Sequence, residues 1–303
     1  MIGICRFFVD GELVNEQKNL VTTAGSRKIL QHFSGVRSGI AQSIAVGVGD
    51  TAAVVADTEL EFEVERANVL LISPDFTEET VIFKGRLSRE LEAVIEEAGL
   101  WSVPQVNNAE FGQLLFKFND TEGWSGDGVN NATNTKVGST SLRLNPALST
   151  TDESVVEGDP DLGGVGLQLD FSGMAANQVF KLAAYIADAN TANIKVMFRT
   201  DASNYYTLTV TTPATGYKVF NLPKSGAAAT GSPDWANITS VAASVTAEAG
   251  GATVVDLDGL RVERFDIVDP DSVLVTRMVL TTPQVKTSDQ AMDIEYSLSI
   301  EVT

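Results

Sequence analysis

A single histidine, His32, and a single cysteine, Cys5, bound the side-chain chemistry open to this 303-residue chain. One histidine leaves little room for imidazole acid–base catalysis or a multi-histidine metal site. One cysteine excludes a disulfide framework and any cysteine-rich zinc module. Carboxylates are abundant, 40 Asp and Glu against 21 Lys and Arg, so adjacent pairs such as Glu96 and Glu97 carry no information about glycoside hydrolysis. Gly47-Val48-Gly49 lacks the continuation of a phosphate or dinucleotide loop. No Gly-x-Ser-x-Gly elbow occurs, and His32 has no Ser/Asp set around it. The residues describe a protein that is not an enzyme. Rings are the other resource: Trp124, Tyr205, Tyr206, Tyr217 and Trp235 are candidates to stack on the apolar face of a sugar while Asn, Asp or Arg take its hydroxyls. Trp124 and Trp235 serve equally well as large core residues of a β-sandwich.

The elements that must position these residues read as strands. Ile294, Tyr296, Leu298, Ile300 and Val302 alternate with Glu295, Ser297, Ser299, Glu301 and Thr303, the period of a half-buried strand. Glu59, Glu61, Glu63 and Glu65 alternate with Leu60, Phe62 and Val64, which predicts a strand whose acidic face is solvated or meets a basic partner. Adjacent Tyr205 and Tyr206 must face opposite sides of their strand. One helix is predicted over Thr23–Phe33, with Thr23 as N-cap and Ser34-Gly35 as its stop. Ile29, Leu30 and Phe33 form its apolar stripe, and His32 lies beside that stripe. Leu87–Glu97 is ambiguous between helix and strand.

Composition changes near residue 108, from which point Asn, Thr, Ser, Gly and Ala dominate to about residue 266. Eight or nine short strands recur there between turn clusters such as GWSGDGVNN and KSGAAATGSPDW. That spacing predicts a β-sandwich of jelly-roll type. The tail strands Val273–Leu280 and Met292–Thr303 need a sheet to join, and 1–107 is the nearest supplier. The expected fold is therefore mainly β in two domains: a discontinuous β-rich domain, 1–107 with 267–303, and an inserted sandwich, 108–266.

The net charge is −19, shared by both parts, which disfavours nucleic acid and anionic membrane surfaces as partners. The N-terminus MIGICRFFVDGELVNEQ lacks the basic and apolar regions of a signal peptide, so synthesis in a cytoplasm is expected. No apolar run approaches the roughly 20 residues of a spanning helix.

The flanks resemble bacteriophage virion proteins described as tail-collar, tail-fibre or minor structural proteins. The resemblance rests on Lys18-Asn19-Leu20-Val21-Thr22-Thr23-Ala24-Gly25, Ile44-Ala45-Val46-Gly47-Val48-Gly49-Asp50-Thr51 and Asp57-Thr58-Glu59-Leu60. It continues through Ile95-Glu96-Glu97-Ala98-Gly99-Leu100, Leu274-Val275-Thr276-Arg277 and Pro283-Gln284-Val285-Lys286-Thr287-Ser288. It implies a non-enzymatic structural protein on the outer surface of a virion, in collar, tail, fibre or capsid decoration, with other virion proteins and copies of itself as partners. The terminal alternating strand is a candidate for pairing with a neighbouring chain.

The middle segment resembles the jelly rolls of carbohydrate-binding modules, through Phe118-Asn119-Asp120-Thr121-Glu122-Gly123-Trp124, Lys136-Val137-Gly138-Ser139-Thr140-Ser141-Leu142-Arg143-Leu144 and Asp256-Leu257-Asp258-Gly259-Leu260-Arg261-Val262. That resemblance implies a structural Ca²⁺ on Asp120 and Asp258. The alternative function it implies is attachment to glycans of a host or surface, with Trp124, Tyr205, Tyr206 and Trp235 as the ligand-binding candidates.

Overall fold

The computed structural model describes residues 2–36, 39–103, 112–159, 165–175, 178–263 and 272–299. The chain divides into two units, Met1–Val106 with Val268–Thr303 and Asn107–Ile267. The joints expected at 107/108 and 266/267, and residues 300–303 of the expected terminal strand, lie outside the described residues.

Six strands precede the second unit in sequence: β1 (Ile2–Val9), β2 (Glu12–Val21), β3 (Ser43–Gly47), β4 (Glu63–Asp75), β5 (Thr80–Arg86) and β6 (Ala93–Trp101), with α1 (Thr23–Phe33) between β2 and β3. The second unit opens with β7 (Gln113–Phe116), β8 (Ser125–Gly126), β9 (Val129–Asn131), β10 (Ser141–Leu144), β11 (Thr151–Val156), β12 (Gly158–Asp159) and β13 (Val165–Gly166). It continues with β14 (Val179–Ile186), β15 (Thr191–Asp201), β16 (Asn204–Thr211), β17 (Gly216–Pro223), β18 (Ala228–Thr230), β19 (Ser240–Ala247) and β20 (Val255–Val262). The chain then returns to the first unit as β21 (Leu274–Lys286) and β22 (Met292–Ser299).

The first unit is a closed barrel in the order β1-β2-β21-β6-β3-β4-β5-β22. Its inner side is written in the alternation: Cys5 and Phe7 oppose Tyr296 and Ile294, Tyr296 opposes Phe83, and all five are buried. The outer side carries a cross-strand ion ladder. Arg6 meets Glu16 at 2.6 Å and Glu295 at 3.2 Å, and Lys84 meets Glu295 at 2.7 Å. Closure removes the free edges of a sheet, which corrects the expectation that the terminal strand pairs with a neighbouring chain. Both edges of β22 are taken within the chain, by β1 and β5.

Two further expectations change. The Glu59–Glu65 run becomes strand only from Glu63, because Glu61 and Phe62 give their N–H groups to the Glu97 carboxylate. Its basic partner is internal, since Glu63 pairs with Arg66 at 2.6 Å. The helix forms over the predicted residues, but its N-cap is Thr22, whose hydroxyl accepts from the Gly25 N–H. Gly25 lets α1 approach β21 so closely that any Cβ there would collide with the Val275 carbonyl. That contact buries Gly25, Lys28 and Ile29 and turns Leu30 and Phe33 outward. His32 is exposed, and Leu87–Glu97 resolves to strand β6 from Ala93.

The flank motifs converge on one buried ion network. The Glu97 carboxylate accepts from the N–H groups of Gly49, Glu61 and Phe62 and from Arg277 Nε and Nη2. Arg277 also donates to Asp57 Oδ2 and the Thr51 carbonyl. Gly47 and Gly49 are small for this reason, because a Cβ on either would stand 2.5 or 2.7 Å from Glu97 Oε1.

In the second unit one sheet runs β17-β14-β20-β10-β9, with β7 also on β20, and the other runs β18-β16-β15-β19-β11-β8. The two face each other across a core in which Phe180 of β14 and Phe198 of β15 lie 4.5 Å apart. β12 and β13 form a separate hairpin. No helix among the described residues is long and apolar enough to cross a membrane.

Candidate functional site

Alternation along β14 sends Phe180, Leu182, Ala184 and Ile186 into the core, which leaves Tyr185 on the outer face of the sheet. Register then sets a row across that face: Tyr217 of β17 opposite Tyr185, Tyr185 opposite Asp256 of β20, and Asp256 opposite Arg143 of β10. Arg143 and Asp256 form a two-pronged ion pair, Nε to Oδ1 at 2.7 Å and Nη2 to Oδ2 at 2.9 Å, joined by Asn134 Nδ2 at 2.7 Å. The carboxylate is fully buried while the Arg143 side chain keeps 31% of its surface. Asp256 raises the guanidinium pKa and fixes its plane, so the open edge of Arg143 is a positioned donor.

Tyr217 is bound more tightly than Tyr185. Its hydroxyl donates to Asp258 Oδ2 at 2.5 Å, and Lys136 Nζ sits 4.0 Å above its ring. Tyr185 is half-buried, and its hydroxyl has no hydrogen bond among the described residues. The β9–β10 loop supplies Asn134, Thr135 and Lys136, so the same face carries a ring, two cations and an amide. A face of this composition can stack a sugar ring and direct donors at its hydroxyls.

The calcium expectation is corrected by the atoms around Asp258. Its carboxylate accepts from Thr135 Oγ1 at 2.8 Å, the Lys136 N–H at 2.7 Å, the Val137 N–H at 3.1 Å and the Tyr217 hydroxyl. Donors surround it where a cation needs acceptors. Asp120 stands in an exposed 3-10 turn, Asp120–Glu122. Among the described residues no group of three or more His, Cys, Asp and Glu is placed to hold a metal ion.

Burial pushes the Asp258 pKa up from 3.8 to about 6. The folded state therefore binds the proton more tightly than the unfolded chain, and stability falls as pH rises between those values, by about 3 kcal/mol at most. Asp258→Asn keeps the shape and should lack this dependence. Urea unfolding from about pH 4 to 7 reads it as the difference between the two proteins, and parallel pH profiles contradict it.

Three of the five ring candidates are partly buried and packed against the core. Trp124 stacks on Phe118 at 4.7 Å, meets Phe116 edge-on at 5.5 Å and donates Nε1 to Glu122. Trp235 stacks on Tyr206 at 4.1 Å and packs against Phe180 and Phe198, and Tyr206 donates its hydroxyl to the Pro233 carbonyl. Tyr205 faces outward as alternation requires, on the opposite sheet, with the Arg199 guanidinium 5.9 Å from its ring. The outer-face row was missed for Tyr185, Asp256 and Arg143, although Arg143 and Asp256 lie inside quoted segments. Outward alternation of a tyrosine and an arginine in otherwise apolar strands was the available signal.

No protein-family model matches the sequence, and no curated protein matches it. Solved structures similar to it include a family 30 carbohydrate-binding module, 17% identical over 52% of this chain and 91% of that one, with a TM-score of 0.39. A family 11 carbohydrate-binding module from Clostridium thermocellum, in complex with a beta-1,3-1,4-mixed-linked tetrasaccharide, is 13% identical over 50% of this chain and 95% of its own, with a TM-score of 0.36. An agarase, AgWH50C, is 12% identical over 50% of this chain, with a TM-score of 0.37, and the match spans only 24% of the agarase. Likeness at this level speaks to neither ancestry nor ligand.

Proposed function

We propose that the protein is a non-catalytic adhesion protein whose inserted sandwich binds carbohydrate on the outer face of the β17–β9 sheet. The supporting observation is the row Tyr217, Tyr185, Asp256 and Arg143 across four adjacent strands. Tyr185 supplies the ring on which a pyranose lies. Arg143, held by Asp256, and Lys136 donate to its oxygens. Uncharged or acidic sugars suit a face that presents the Arg143 guanidinium and the Lys136 ammonium. A glycan array with the full chain is expected to give hits that Tyr185→Ala weakens about 30-fold, the loss of one ring anchor. Because Tyr185 is half-exposed, its removal should leave the unfolding profile intact. A blank array overturns the reading, and so does binding that Tyr185→Ala leaves unchanged.

For the barrel unit we propose the place implied by the flank resemblance, on the outer surface of a virion. The ordered motifs support it, and labelling of intact particles with an antibody to the chain tests it.

A further inference from the structure

Two exposed features share one rim of the barrel. Ile2 opposes Ser299, Ser299 opposes Thr80, and Gly3 opposes Asn19. The start of β1, the end of β22, the start of β5 and the end of β2 therefore lie on the same rim. The β4–β5 turn leaves from that rim, and so does α1, which follows β2 and packs on β21. In the order around the barrel, β2 and β21 are adjacent, and β4 and β5 are adjacent on the far side. The turn and the helix thus stand at opposite points of one circle.

Their surfaces are complementary. In the turn, Asp75 Oδ1 accepts from the N–H groups of Thr77 at 2.9 Å and Glu78 at 3.2 Å, which holds Phe76 outward at 88% exposure. Glu78 and Glu79 beside it are exposed and make no ion pair among the described residues. On the helix side, Leu30 and Phe33, one turn apart, are 67% and 62% exposed, and Val36 just past the helix end is 66% exposed. Arg27 is exposed next to them without an ion pair among the described residues, and α1 contains no acidic residue. A basic, apolar helix is out of character for a chain of net charge −19, whereas the turn is apolar and acidic.

We propose that the barrel unit assembles head to tail with copies of itself, the Phe76 turn of one copy docking on α1 of the next. Phe76 enters between Leu30 and Phe33, and Glu78 and Glu79 approach Arg27. Such a contact is heterologous, and because its two halves lie opposite each other on one rim, each copy engages two neighbours with barrels side by side. Repetition builds a file of copies.

Sedimentation velocity of the full chain tests this. The unaltered protein is expected to sediment as multimers larger than a dimer. Phe76→Ser and Phe33→Glu, both at exposed positions, are each expected to sediment as monomers with unchanged melting, from association weakened about 30-fold or more. Mixing the two variants is the decisive arm. The turn of the Phe33→Glu chain still fits the helix of the Phe76→Ser chain, so the mixture should give a one-to-one dimer and nothing larger. A monomeric unaltered protein overturns the proposal. So does a Phe76→Ser chain that still assembles, or a mixture of monomeric variants that fails to pair.

Discussion

Replacing Arg277 by methionine is expected to destabilise the barrel unit by about 3–5 kcal/mol, the cost of leaving a buried charge without its partner. Glu97 is fully buried and Arg277 nearly so, 2.9 Å apart. Methionine fills much of the arginine volume, so the loss is electrostatic rather than a cavity. The Glu97 carboxylate would keep its three backbone N–H donors, but Asp57 and the Thr51 carbonyl would lose the donor that draws their loop onto β21. Peptide-resolved hydrogen exchange should therefore show the earliest loss of protection in 48–62, followed by the barrel strands, with the sandwich unchanged. Glu97→Ala should cost a similar amount, and the double variant less than the sum, because the two residues belong to one network. A cost below about 1 kcal/mol for either single change would falsify the role assigned to the pair.

Trp235→Ala is expected to destabilise the sandwich by about 3–5 kcal/mol. The ring joins Tyr206, Phe180, Phe198 and Phe171 in one aromatic cluster between the sheets, and Lys224 Nζ lies 5.3 Å above it. Its removal empties the middle of that cluster, where both sheets are held by their own pairings and collapse is restricted. Urea unfolding should show the loss in the sandwich, and any glycan binding should fall in step with folding. Tyr185→Ala should give the opposite pattern, binding lost with folding retained. If Trp235→Ala leaves stability intact and abolishes binding, the ligand face has been placed on the wrong residues.

Much of the architecture was legible from pattern. The alternation in the last strand, as far as Ser299, and the helix over Thr23–Phe33 both appear at the expected residues. Each depends on local periodicity, which a single segment displays. The errors share a different cause. Leu30 and Phe33 form an apolar stripe in the sequence, yet Gly25 decides which side of the helix meets β21. Glu59–Glu65 alternates like a strand, yet Glu97, 36 positions after Glu61, draws its first part into a loop. Trp235 sits in a stretch of loop residues and is packed under Tyr206.

The ligand face shows the division most sharply. Composition alone restricts the chemistry, because one histidine and one cysteine leave little room for imidazole or thiol chemistry and a charge of −19 disfavours nucleic acid. Alternation alone says that Tyr185 and Arg143 point away from a core. Neither says that they share a row, because Arg143, Tyr185, Tyr217 and Asp256 come from four strands, and only sheet order and register bring them side by side. The same holds for Glu97 with Arg277, 180 positions apart. Side-chain type and period are local properties written in the chain; which charged and aromatic groups meet is set by strand pairing across long loops, and that is decided only when the sheets close.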